Sequence, residues 1–198
     1  MKVVALLFGS IAICLAGCSM ARNDGTIPTG TWEGRGVYTG RDMATDEGKD
    51  ATTPAAKKPG HSAEYDVKLT IQPVRQNNNE LIELKVFSNH ANDPDFEGKS
   101  VYVRATLRKA ERVSASANLY ELVGKSYDIS FKEPEKYTEV DPPMMASCMT
   151  VGDETVLTLR YEPDFAEVYR FKGNTVQKAG SFGNKDNCIY WSESLTRR

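Results

Sequence analysis

The sequence predicts an all-β domain folded as one eight-stranded antiparallel up-and-down β-barrel with one disulfide. Three observations carry that expectation. From Gly30 onward apolar residues recur at every second position, the period of a strand with one buried and one wet face, and helical spacing never persists over three turns. The connections between these apolar runs alternate between shorter and longer. The two cysteines of the folded domain, Cys148 and Cys188, both fall on the longer-connection side of that alternation.

The first strand puts Trp32, Gly34, Gly36 and Tyr38 on one side. The second has the cleanest alternation: Tyr65, Val67, Leu69 and Ile71 face one way, and Glu64, Asp66, Lys68, Thr70 and Gln72 the other. Ile82, Leu84 and Val86 mark the third, and Val101, Val103, Ala105 and Leu107 the fourth. The fifth runs from Ala117 to Val123 with an extension through Tyr127, Ile129 and Phe131; Thr155, Leu157, Leu159 and Tyr161 mark the sixth. Phe165, Tyr169 and Phe171 give the seventh, and residues 188–195 the last. Each run is rich in β-branched or aromatic residues and bounded by turn formers.

A two-sheet sandwich and a closed barrel both accommodate eight such strands. Loop lengths favour the barrel. Connections 75–79, 110–116 and 163–164 are the shorter ones; 41–62, 89–99, 132–154 and 172–187 are longer. In an up-and-down meander alternate connections share an end, so the long loops gather at one mouth and both chain termini lie at the other. Cys148 and Cys188 then meet at the long-loop mouth, where a bridge closing about 40 residues stabilises the fold by roughly 4 kcal/mol.

Ahead of this domain, Lys2 precedes an apolar run that starts at Val3 and ends in Leu15-Ala16-Gly17-Cys18. A positive start, a short apolar core and small residues before a cut site make a secretory signal, and the run is shorter than the ~20 residues of a spanning helix. The four-residue ending resembles the lipobox of bacterial lipoproteins. That resemblance implies cleavage after Gly17, a diacylglycerol thioether on Cys18 and fatty acylation (palmitate) of the new N-terminus. Ser19 stands where an aspartate would mark inner-membrane retention, so the resemblance implies an outer-membrane lipoprotein facing the periplasm. The expected organisation is a signal peptide over 1–17, lipidated Cys18 and tether over 18–30, and one barrel domain over 31–198.

Gly30-Thr31-Trp32 resembles the G-x-W opening of lipocalins and avidin-like barrels, where the tryptophan plugs the closed end. The resemblance implies a lipocalin-like barrel in which Arg197 or Arg198 covers Trp32.

Formal net charge is −2 over 198 residues, with no basic field of the kind nucleic acid binding requires. Mixed-charge residues 41–62 read as a solvated insert or a partner-binding loop. Met144, Met145, Cys148 and Met149 form a soft cluster that suits Cu(I), unless the methionines pack the loop and Cys148 is bridged. His61 and His90 are the only histidines and both fall in expected loops, where they read as solvated; a Ser-His-Asp unit could draw on either, with Ser88 near His90, although G-x-S-x-G is absent. Asn92, Asp93, Asp95 and Glu97 offer oxygens in one turn without the spacing of an EF-hand loop.

The expectation is therefore a monomeric, non-catalytic lipoprotein without cofactor or metal, tethered by its lipid and binding an envelope protein or glycan. Its binding residues are expected at the long-loop mouth: Asp42, Asp46, Glu47, His90, Asp93, Asp95, Met144 and Met145. The alternatives are a carrier of a small apolar ligand, with Trp32, Tyr38, Tyr65, Leu69 and Leu84 lining the barrel interior, a hydrolase using His90 with a serine, and a Cu(I)-binding protein.

Overall fold

A computed structural model of the chain describes residues 24–42, 62–76, 78–134, 138–183 and 187–198. The expected signal segment, Cys18 and His61 lie outside the described residues. The fold is an all-β closed antiparallel meander, with ten strands in place of the expected eight. In chain order they are β1 (Gly30–Asp42), β2 (Ser62–Gln76), β3 (Asn79–Asn89), β4 (Ser100–Ser114), β5 (Ala117–Ser130), β6 (Thr138–Val151), β7 (Glu154–Glu162), β8 (Phe165–Lys172), β9 (Thr175–Gly183) and β10 (Asn187–Arg197). Each pairs with the next, and β1 closes the barrel on β10 from Trp32↔Arg197 to Asp42↔Asn187.

The two additional strands, β6 and β9, occupy segments that read as long loops. In β6 the Pro142-Pro143 pair interrupts the ladder: Leu122 pairs Met144 while Gly124 pairs Glu139, so residues 140–143 bulge out of register. In β9 the inward positions are Val176, Lys178, Gly180 and Phe182, so a lysine and a glycine interrupt the apolar alternation that would have marked a strand.

The gathering of long loops at one end holds. All four connections at the lower end have two residues (77–78, 115–116, 152–153 and 173–174), with left-handed backbone at Asn78, Gly152 and Gly173 as tight hairpin turns require. The upper end carries 43–61, 90–99, 131–137, 163–164 and 184–186. The short 163–164 turn thus lies at the upper mouth, opposite to the expected end, because β6 reverses the direction of β7.

The same reversal separates the cysteines. Cys148 points inward near the lower end of β6, and Cys188 begins β10 at the upper end, with β7, β8 and β9 between them. Both are free thiols, and the expected bridge is not formed.

The lower half of the barrel is a packed core. Trp32, Leu69, Leu84, Leu107, Leu122, Leu157 and Phe171 fill it from seven strands, all buried. The end is closed by Ile27, itself buried, and the preceding residues lie against the β4–β5 hairpin, where Asn118 Nδ2 donates to the Asp24 carbonyl at 2.7 Å. The Arg197 guanidinium lies over the Trp32 ring, 5.5 Å from its centroid, while its Nη2 donates to the Thr29 carbonyl. Arg198 instead pairs Glu33 on the outside.

Candidate functional site

Halfway up the barrel the interior changes from apolar to ionic. One row of paired inward positions runs Tyr65 on β2, Gly36 on β1, Glu193 on β10, Lys178 on β9 and Tyr169 on β8. Glu167 is the next inward residue of β8, two positions before Tyr169. The Lys178 ammonium lies 2.7 Å from Glu167 Oε1 and 3.0 Å from Glu193 Oε1, and all three side chains are buried.

Tyrosines complete this floor. Tyr65 Oη donates to Glu193 Oε1 at 3.0 Å, Tyr161 Oη donates to Glu167 Oε2 at 3.0 Å, and Tyr169 Oη donates to the same Oε2. Burial, together with the adjacent carboxylates, pushes all three phenols far above their ordinary range, so they stay donors. Burial raises the Glu193 carboxyl as well, against the pull of Lys178. For Lys178 burial works against the charge, but Glu167 and Glu193 outweigh it and hold the ammonium above its usual value.

Two glycines make the arrangement possible. Gly36 lies between Tyr65 and Glu193 in the row, and a Cβ there would meet Tyr65 Cζ at 2.5 Å and Glu193 Cγ at 2.8 Å. Its bare backbone lets the phenol cross one strand to reach the carboxylate. Gly180 sits between Glu167 and Trp191, and the Trp191 indole lies directly over it.

Above this floor is a cup of about 90 Å³ walled by Tyr65, Trp191, Phe165, Phe182 and Tyr38, with His90 overhanging it. Its rim includes the inward residues Tyr127 and Ile129, which stay 44% and 42% exposed because they face the open mouth. His90 is stacked between Tyr65 (4.4 Å between centroids) and Phe96 (3.9 Å). Burial lowers its pKa to about 4 although Asp93 pulls the other way, so the imidazole is neutral near pH 7.

The expected binding residues of the mouth are not a surface patch. His90 and Asp93 are only 4% and 5% exposed: the β3–β4 connection folds inward, and Asp93 Oδ2 accepts from Tyr38 Oη at 2.6 Å. This inward fold replaces the solvated histidine and the solvent-facing polar turn expected between these strands. Asp46 and Glu47 lie outside the described residues, as do the side chains of Asp42 and Asp95.

Met144 and Met145 belong to a strand rather than a loop. Met144 packs inward against the core, while Met145 is exposed on the outer face. Cys148 follows Met144 inward and Met149 follows Met145 outward, so the strand period divides the soft cluster between two faces. Burial pushes the Cys148 thiol to about 12, which disfavours the thiolate that Cu(I) would need. Among the described residues no three His, Cys, Asp or Glu side chains converge to hold a metal ion.

The five interior positions Trp32, Tyr38, Tyr65, Leu69 and Leu84 are all buried inside the barrel. They divide between its halves: Trp32, Leu69 and Leu84 belong to the packed core, and only Tyr38 and Tyr65 reach the cup. Glu167, Lys178 and Glu193 were not singled out by sequence. Strand parity marks Glu167, since it lies between Phe165 and Tyr169 on one face.

Fold and interior together define a closed ten-stranded antiparallel barrel with an ionic, aromatic-walled cup in its upper half. No protein-family model matches the chain, and no curated protein or solved structure matches it either.

Proposed function

We propose that this chain is a lipid-anchored envelope binding protein that holds a small ligand, or the head group of a larger one, in the upper half of its barrel. The observation that carries the reading is the cup itself: apolar rings around a few convergent polar groups, opening at one mouth only, is the composition of a ligand site. Its volume is about 90 Å³. That is too little for a whole lipid, since ligand pockets usually measure ~300–1,000 Å³, so the occupant is compact or extends into the mouth.

The anchor part of the proposal rests on Leu15-Ala16-Gly17-Cys18. Asp24 already packs at the lower end of the barrel. Six residue steps from Cys18 reach at most ~21 Å, which turns the closed end toward an outer membrane and the cup toward the periplasm. A non-catalytic role accords with His90, whose Nδ1 is 3.8 Å from Asp93 Oδ2, past hydrogen-bond reach, while that oxygen serves Tyr38. A second reading, docking of an envelope protein or glycan at the mouth, is favoured by the exposed Phe131 and Ile129 at the rim.

The test is a pair of mass spectra, native and denaturing, of the full chain extracted in non-ionic detergent. A small mass lost on denaturation is expected, alongside acyl mass on Cys18 that survives it. A bare chain that gains no adduct from an envelope small-molecule extract overturns the ligand reading.

A further inference from the structure

The floor of the cup holds two carboxyl groups against one ammonium. Glu167 and Glu193 share one Lys178, and the three side chains are at most 2% exposed. The tyrosines that donate to the carboxylates bring no charge. After all these contacts Glu193 Oε2 is buried and has no hydrogen-bond partner among the described residues. An unmet buried acceptor is costly, more so when it is charged. One cation in the cup would balance the second carboxyl, and an ammonium that keeps an N–H would also donate to the unmet oxygen.

The walls suit the same occupant. Ring faces attract cations, most strongly where water is excluded. The Lys178 ammonium is already 5.7 Å from the Tyr169 centroid and 5.8 Å from that of Trp191, so these walls hold one alkylammonium as built. The space beside it, about 90 Å³, fits an ammonium carrying a few carbons. An anion would find only Lys178, whose charge two carboxylates already neutralise. A neutral apolar ligand would leave Glu193 Oε2 unanswered.

We propose that the cup selects a small organic cation, an alkyl- or quaternary ammonium, with its charge against Glu193 and its carbons among Tyr65, Trp191 and Phe165. This rests on the reading of the cup as a ligand site and names the class of ligand. Three probes of nearly one shape test it by calorimetric titration of the full chain in non-ionic detergent: choline, its uncharged isostere 3,3-dimethyl-1-butanol, and the anion 3,3-dimethylbutyrate. Choline is expected to bind at least tenfold more tightly than either, and Glu193→Gln to weaken choline at least tenfold. The comparison of probes on the unaltered chain stands even if the variant fails to fold. Equal or tighter binding of the alcohol or the anion overturns the cation proposal and leaves a small-ligand protein. No heat from choline up to tens of millimolar overturns it as well, and a native-spectrum adduct would then still uphold the ligand reading.

Discussion

Lys178→Met is the perturbation that most directly probes the interior. It removes the ammonium but keeps most of the length of the side chain, leaving Glu167 and Glu193 buried without a cation. Breaking a buried ion pair by deleting one member costs about 3–5 kcal/mol, because the surviving charge stays desolvated. For a chain of 198 residues, where ~1 kcal/mol moves Tm by ~2–4 °C, the expected fall is ~6–20 °C. The variant should escape part of this cost by binding a proton. A carboxyl whose folded pKa lies above its unfolded value contributes stability that is complete below the unfolded value and lost as pH rises through the folded one. Burial already pushes Glu193 upward with Lys178 present. Without Lys178 the shift grows, so the variant should be more stable relative to wild type at pH 5 than at pH 8. Urea unfolding at both pH values reads this directly, with an unchanged m value showing that the same transition is compared. A loss below ~1 kcal/mol at pH 8, or a deficit that does not shrink at pH 5, would refute the reasoning.

Two further outcomes follow from the site and from the wall around it. Because burial holds His90 near 4, below its unfolded value of 6.5, its contribution to stability is present above pH 6.5 and drains away as pH falls toward 4. The loss is at most ~3 kcal/mol from that gap. It should vanish in His90→Phe, which keeps the stack with Tyr65 and Phe96; urea midpoints of the two proteins between pH 7.5 and 4 would measure the difference, and parallel curves would sink the assignment. On β1, a Cβ at Gly34 would run into the Ser194 carbonyl of β10, whereas one at Gly40 meets nothing within 4 Å. Gly34→Ala should therefore cost about 1–3 kcal/mol by overpacking and Gly40→Ala almost nothing, so equal thermal shifts for the two would contradict the packing of β1 on β10.

The wall of the barrel was readable where one face is apolar throughout. Tyr65, Val67, Leu69 and Ile71 give β2 its register directly. The two strands that escaped notice carry the opposite signal: Pro142-Pro143 inside β6, and Lys178 and Gly180 at inward positions of β9. Missing both left the expected closure intact, because two strands reverse the chain twice and return the C-terminus to the lower end. Between the two omissions the directions of β7 and β8 were inverted, which brought Cys148 to the wrong mouth. The ionic floor was harder to read for a physical reason. A buried Glu–Lys–Glu set is stable only through partners on β2, β7, β8, β9 and β10, and those partners are set by register rather than by neighbours in sequence. Glu167, enclosed between Phe165 and Tyr169, and Glu193, enclosed between Trp191 and Leu195, show their burial through local parity; Lys178, in a strand without an apolar alternation, does not.

The boundary between the two halves of the barrel argues for a site rather than a filler. Leu195 and Val176 form the last apolar pair on β10 and β9, and Glu193 and Lys178 form the next inward pair. The step is two residues, ~7 Å along the strand. Replacing buried ionic sets by apolar residues of like volume is often neutral or stabilising by ~1–4 kcal/mol, so closure of the barrel does not demand charge at these positions. The lower half demonstrates the alternative with Trp32, Leu69 and Leu84 packed solid. Above the boundary the chain instead places Gly36 and Gly180 where side chains would obstruct Tyr65 and Trp191. It also leaves Glu193, a lining residue of the cup, with Oε2 buried and without a hydrogen-bond partner among the described residues. Stability alone does not call for that cup or the buried charge; the cationic ligand proposed above would use both.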